Sequence, residues 1–202
     1  RRKLLLFFLV ALAVIAILPP VYFHFRLPRF QQVRSKNCRW MKSPPLVCAH
    51  GGDTTVAFPN TMEAYRDALD SHVDCIEIDV SRSADGVLFA LHDRDLQRIS
   101  GNATSKVGHL SRKEVRLVVY NHQLELFGDI NVPTAEDAIK FLSGSVKQVI
   151  LDAKVGPPHY EGGLAKDILS VVRKTKCKNC VIWAKSDSLV QDLIQFGTDT
   201  TV

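Results

Sequence analysis

Residues 1–42 contain no aspartate and no glutamate. They hold nine lysines and arginines, whereas the remaining 160 residues carry 17 basic and 21 acidic side chains. The overall charge of +5 therefore belongs to an N-terminal arm, and the rest of the chain is net negative. That distribution argues against a basic nucleic-acid-binding face. Such an arm suits a topology-setting flank or attraction to anionic lipid beside a membrane. Charge of either sign is also missing from residues 4–23. Their length matches the ~20 apolar residues that span a bilayer. Pro19-Pro20 lies late in the run and predicts a helix end or kink near Leu18. A convincing small-residue cleavage site is absent after the apolar stretch. We read an uncleaved single-pass anchor, with a cleaved signal peptide as the rival. Basic residues flank both ends, so the positive-inside rule gives no orientation.

Cysteine is scarce and odd in number, with Cys38, Cys48, Cys75, Cys177 and Cys180. At least one thiol stays unpaired within a monomer. Cys48 and Cys75 fall in apolar runs and read as buried thiols. Cys177-Lys178-Asn179-Cys180 lacks a second Cys or His pair nearby, which disfavours zinc. A local disulfide and two unrelated cysteines both remain open there. Asn102-Ala103-Thr104 is an N-glycosylation triplet in a polar stretch. With an N-terminal anchor, it favours a luminal or extracellular C-terminal domain.

The expected organisation is a basic tip and anchor over 1–23, a basic stalk over 24–45 and a globular domain over 46–202. In that domain, strand-like runs at 46–49, 75–80, 87–91, 149–152 and 181–185 alternate with helical patterns at 61–71, 134–142, 162–175 and 188–196. Asn60 and Thr134 are the expected N-caps. Asp85-Gly86 marks a tight turn between two strands. Residues 93–133 read as irregular, apart from a short helix from Ser111. Strands separated by helices predict parallel β/α units, with a (β/α)8 barrel as the leading α/β architecture and a smaller doubly wound sheet as the alternative. A full barrel takes about 250 residues, so the barrel is expected to be incomplete at the C-terminus.

Chemistry concentrates at strand ends. Glu77 and Asp79 alternate in Cys75-Ile76-Glu77-Ile78-Asp79-Val80, so they project to one face. Paired carboxylates are tolerated mainly around a cation. Two other apolar runs lead into His50 and His92, and a third ends in Asp152. At the carboxyl ends of barrel strands these residues would share one mouth. Together they predict a metal-assisted acid–base site. His24, His72, His109, His122 and His159 have no supporting constellation.

The ordered set His50-Gly51-Gly52, Pro59-Asn60-Thr61, Glu77-Ile78-Asp79, Asp85-Gly86, His92-Asp93 and Asp152-Ala153-Lys154 resembles the glycerophosphodiester phosphodiesterase family, especially its membrane-anchored plant members. The resemblance implies a TIM-type barrel with a small insertion, supplied by residues 94–133, and a divalent cation, Ca²⁺ or Mg²⁺. It implies hydrolysis of a glycerophosphodiester to glycerol 3-phosphate and an alcohol. By position, His50 and His92 would be the acid–base pair, and Glu77, Asp79 and Asp152 the metal ligands. Lys154, Gly51 and Gly52 would face the substrate phosphate. Asp152 stands where the family usually has glutamate, Gly51 where arginine is common, and Pro59 where glutamate is usual. Those departures motivate the alternative, a weakly active or inactive homologue that binds phospholipid headgroups or a protein partner at a membrane.

Overall fold

A computed structural model describes residues 2–37, 45–55, 57–122 and 132–197. The chain forms two compact units, divided after Pro45. The first holds one helix, α1 (Arg2–Asn37). Within it, Leu5–Phe25 has a mean hydropathy of 2.6 and is long and apolar enough to cross a membrane, a test a signal sequence also passes. The expected stop near Leu18 does not occur, because α1 continues through Pro19-Pro20. Two missing N–H donors are a local loss. The flanking apolar stretch keeps its other backbone groups paired within the helix, as apolar surroundings require. Cys38 lies outside the described residues.

The second unit is built on β1 (Cys48–His50), β2 (Cys75–Arg82), β3 (Leu88–Ala90), β4 (Gln148–Ala153) and β5 (Cys180–Ala184). β1, β2, β4 and β5 are parallel in that order, and β3 pairs with β2 antiparallel. Helices α2 (Met62–Asp70), α5 (Ala135–Leu142), α6 (Leu164–Thr175) and α7 (Asp187–Phe196) connect or follow the parallel strands. This is the β/α wall of a TIM-type barrel, as predicted.

Strand alternation sorts the side chains. Ile76, Ile78, Val80, Val149, Leu151 and Ile182 pack with Tyr65, Ile139, Leu142, Ile168, Leu169 and Leu189 in the main core. The intervening positions of β2 and β4 carry Glu77, Asp79 and Asp152. A second core joins Phe89 and Leu91 to Leu96, Ile99, Val107, Val115 and Val119. It is formed with α3 (Asp93–Ser100), a 3₁₀ turn (Val107–His109) and α4 (Arg112–His122). Sequence reading found α4 but took α3 for irregular chain. Three of the first α3 residues are charged, which hid its two buried apolar anchors, Leu96 and Ile99.

Thr61, not Asn60, caps α2: its side chain accepts from the Ala64 N–H. Thr134 caps α5 in a reciprocal capping box with Asp137. Cys48 and Cys75 are not free thiols. They face each other across the β1–β2 register as a disulfide, with Cα atoms 4.4 Å apart, and Cys48 is exposed. Cys177 and Cys180 form the local disulfide, with Cα atoms 5.7 Å apart.

Candidate active site

The sheet register gathers the acids. His50 stands opposite Glu77 across β1 and β2, and Asp79 opposite Asp152 across β2 and β4. One oxygen from each of Glu77, Asp79 and Asp152 lies within 4.8 Å of the other two, and all three residues are buried. His50 Nδ1 is 3.9 Å from Glu77 Oε2. His92 arrives by another route. Because β3 runs back along β2, with the Leu91 N–H bonded to the Asp79 carbonyl, the next residue lies level with the acids. There His92 caps α3, its Nδ1 accepting from the Arg94 N–H at 3.2 Å. Both histidines therefore meet the acidic cluster.

The loop after β1 supports the same cluster. The Gly51 N–H donates to Glu77 Oε2 at 2.9 Å. That donor is committed to an expected ligand carboxylate rather than to a phosphate, as Gly51 was expected to offer. Gly52 has φ +88, and a Cβ there would sit 2.7 Å from the Ala64 backbone. Only glycine lets α2 pack this close. Asn60, fully buried and with φ 60, is the residue that sequence reasoning misjudged. Its Nδ2 donates to Asp79 Oδ2 at 2.8 Å, and its Oδ1 accepts from the Asp79 N–H at 3.1 Å and the Tyr65 hydroxyl at 3.2 Å. Asn60 thus fixes Asp79 rather than capping a helix. A buried side chain two residues before a helix gives no sequence signal that separates these roles.

Electrostatics follow from that packing. Burial, with the nearby Asp79 charge, raises the Glu77 carboxyl to about 7 despite the Gly51 N–H. Asp79 is buried too, but hydrogen bonds from Lys154 and Asn60 hold its carboxyl below the usual value. The Lys154 ammonium lies 2.7 Å from Asp79 Oδ1 and bonds Asp152 Oδ2. Burial opposes its charge, yet those two carboxylates raise it above the ordinary lysine value. Burial lowers the His92 imidazole, partly countered by Asp79, and so favours its neutral form. In α3, Asp95 is fully buried 3.9 Å from Arg94 and 3.7 Å from Arg98, and burial raises its carboxyl.

The donor set suits a hard divalent cation. Three carboxylates converge, and buried oxygens Glu77 Oε1 and Asp152 Oδ1 have no hydrogen-bond partner. Lone pairs left unmatched in a buried site are costly unless a ligand uses them.

A model of the glycerophosphoryl diester phosphodiesterase family matches residues 50–188. The chain belongs to that family. It is 55% identical to glycerophosphodiester phosphodiesterase GDPD4 of Arabidopsis thaliana over 195 residues, which is 96% of this chain and 60% of the relative. The crystal structure of glycerophosphodiester phosphodiesterase from Agrobacterium tumefaciens str. C58 superposes with a TM-score of 0.62 at 27% identity, covering 78% of this chain and 65% of that one. The enzyme from Thermotoga maritima shares the fold, with a TM-score of 0.60 at 19% identity over 76% of this chain and 60% of its own. The chain thus spans less than two thirds of these relatives' length.

In this family member, the structure brings together all five residues expected for catalysis and metal binding, together with Lys154. Sequence reasoning did not single out Lys185, just past β5, which lines a cavity with Asp152 and Lys154. Trp183 pairs in register with Asp152, so it faces the same side of the sheet, and Lys185 follows two residues later. The alternation Val181, Trp183, Lys185 at the end of β5 was the readable signal. The triplet Asn102-Ala103-Thr104 is exposed, with Asn102 Oδ1 accepting from the Thr104 N–H at 3.0 Å.

Proposed function

We propose that this chain hydrolyses glycerophosphodiesters to glycerol 3-phosphate and an alcohol. The observation that carries this reading is the convergence of Glu77, Asp79 and Asp152 with His50 and His92 at one end of a parallel sheet. Glu77, Asp79 and Asp152 would hold the divalent cation, Ca²⁺ or Mg²⁺. When bound, that ion supplies charge stabilisation for phosphoryl oxygens in the transition state. Asn60 keeps Asp79 oriented through a paired side-chain and backbone contact. One histidine takes the proton of the attacking hydroxyl, and the other delivers a proton to the leaving alcohol oxygen. Imidazole suits both tasks because its unperturbed pKa is near 6.5. The attacking hydroxyl is water or the glycerol 2-hydroxyl. In the second route a cyclic phosphate forms, and water opens it with the histidines exchanging roles.

The domain is proposed to lie on the luminal or extracellular side, tethered by the apolar segment of α1. Two disulfides and an exposed glycosylation triplet support that placement, since disulfides persist in oxidising compartments.

The test is release of glycerol 3-phosphate from a panel of diesters by the full chain with Ca²⁺ or Mg²⁺. Turnover is expected to stop with chelator. In His50→Ala and Glu77→Ala, rates should fall by about 10²- to 10⁴-fold. Chelator-insensitive or absent turnover would count against this reading. One observation favours the alternative of headgroup binding without turnover: the Lys154 ammonium competes for Asp79 and Asp152, two of the three expected metal ligands. Saturable headgroup binding with no product would establish it.

A further inference from the structure

We propose that Lys185 binds the phosphoryl oxygens of the substrate and selects for an anionic ligand. The inference rests on the hydrolase reading only for the identity of that ligand. Beside the acids lies a cavity of 370 Å³ whose lining includes His92, Asp152, Lys154, Glu161, Lys185 and Ser186. Its volume falls within the range of small-molecule sites. A phosphodiester entering it carries a negative charge toward Asp152 of the acidic cluster and toward Asp93 and Glu161 in the lining. Besides any bound metal, a permanent cation must offset the repulsion.

Two lysines line the cavity, and they differ in what they already hold. Lys154 is engaged by both Asp79 and Asp152. Among the described residues, Lys185 forms no ion pair; its one contact of this kind is the Trp183 ring, 6.0 Å from ammonium to centroid. That distance is at the outer limit of a cation–π contact, so it orients the ammonium only weakly. The other two acids of the lining have partners of their own: Glu161 accepts from Ser186 Oγ at 2.8 Å and Ser188 Oγ at 3.4 Å, and Asp93 pairs with Lys106 at 3.2 Å. Gly51 offers no side chain to share the task.

The strand register places the group. Asp152 pairs with Trp183 and Ala153 with Ala184, the last pair of the register, and Lys154 and Lys185, each directly past its strand, line the same cavity. Strand alternation puts Trp183 on the face that carries Asp152, and Lys185, just past the strand, joins Asp152 in the cavity lining. Lys185 is thus the uncommitted cation at the rim of the acidic cluster. Lysine suits this work as a strongly hydrated point charge that a phosphate oxygen can capture.

The experiment is calorimetric titration of the detergent-solubilised full chain with sn-glycerol 3-phosphate, in the wild type, Lys185→Ala and Lys185→Arg. Lys185 is exposed, so its thermal midpoint should be unchanged in both variants. Lys185→Ala should weaken binding about ten- to a hundredfold, the loss expected of a hydrogen bond to a charged group. Lys185→Arg should retain binding, and uncharged glycerol should not distinguish the proteins. With diesters, Lys185→Ala should raise KM more than it lowers kcat. Equal affinity in the wild type and Lys185→Ala overturns the proposal, as does a wild type with no saturable glycerol 3-phosphate binding. Failure of diester turnover alone strikes the hydrolase reading and leaves the binding result to decide on Lys185.

Discussion

Glu77 and Asp79, two residues apart on β2, are shifted in opposite directions although burial raises both. Hydrogen bonds from Lys154 and Asn60 offset the burial of Asp79, whereas the single Gly51 donor does not offset that of Glu77. The sign for stability follows. The Glu77 carboxyl moves from 4.5 in the unfolded chain to about 7 in the fold, so the folded state holds more protons across that window. Stability from the protonated form is complete below pH 4.5 and is lost as pH rises through about 7. The loss is at most about 3 kcal/mol. Asp79 acts oppositely, since its depressed carboxyl contributes stability that is lost as pH falls through its folded value. In chelator, thermal unfolding should therefore show a midpoint that declines as pH rises through the Glu77 window. Glu77→Gln should flatten the decline, and added Ca²⁺ or Mg²⁺ should reverse it in the wild type. A midpoint as flat in the wild type as in Glu77→Gln would show that the carboxyl does not titrate in this range.

At the scale of elements, one imidazole has two tasks. His92 begins α3 by accepting the Arg94 N–H, and it also lines the cavity beside Asp152. Asparagine separates the tasks, because its Oδ1 can replace Nδ1 as the cap acceptor but cannot exchange a proton near neutrality. His92→Asn should keep the fold within about 1 kcal/mol. Turnover should fall about 10²- to 10⁴-fold. His92→Ala should lose both; steady-state rates and unfolding on the two variants check this. The strands were legible in the sequence because β2 alternates acids with Ile76, Ile78 and Val80, and that period of two survives folding. Helix α3 was not legible, since Asp93, Arg94 and Asp95 open it and its cap lies outside the usual Ser, Thr, Asp and Asn set. The Cys48–Cys75 bond was equally hidden. Those residues are 27 apart, and only the β1–β2 register brings them opposite one another. Pairing across a sheet is a tertiary fact that composition does not carry.

Across the whole molecule, charge divides as the sequence suggested: the basic excess lies in residues 1–42, and the site lies in the net-negative remainder. The apolar segment Leu5–Phe25 supplies a candidate span, but its flanks carry basic residues on both sides and leave orientation open. The proposed luminal or extracellular placement rests on the globular unit. Its two disulfides require an oxidising compartment to persist. Asn102 stands exposed after α3, its triplet held in a turn by Thr104 Oγ1 at 2.7 Å, and so is accessible to a glycosyltransferase. Made in the presence of microsomes, the full chain should shift to lower mass on deglycosylation, and Asn102→Gln should remove the shift. The globular unit should resist added protease until detergent opens the vesicles. Cys48, Cys75, Cys177 and Cys180 should resist alkylation until reduced. An unglycosylated, protease-sensitive domain with freely alkylated cysteines would put the site on the cytosolic side. The span would then have the opposite orientation, and neither disulfide would be maintained in a reducing compartment.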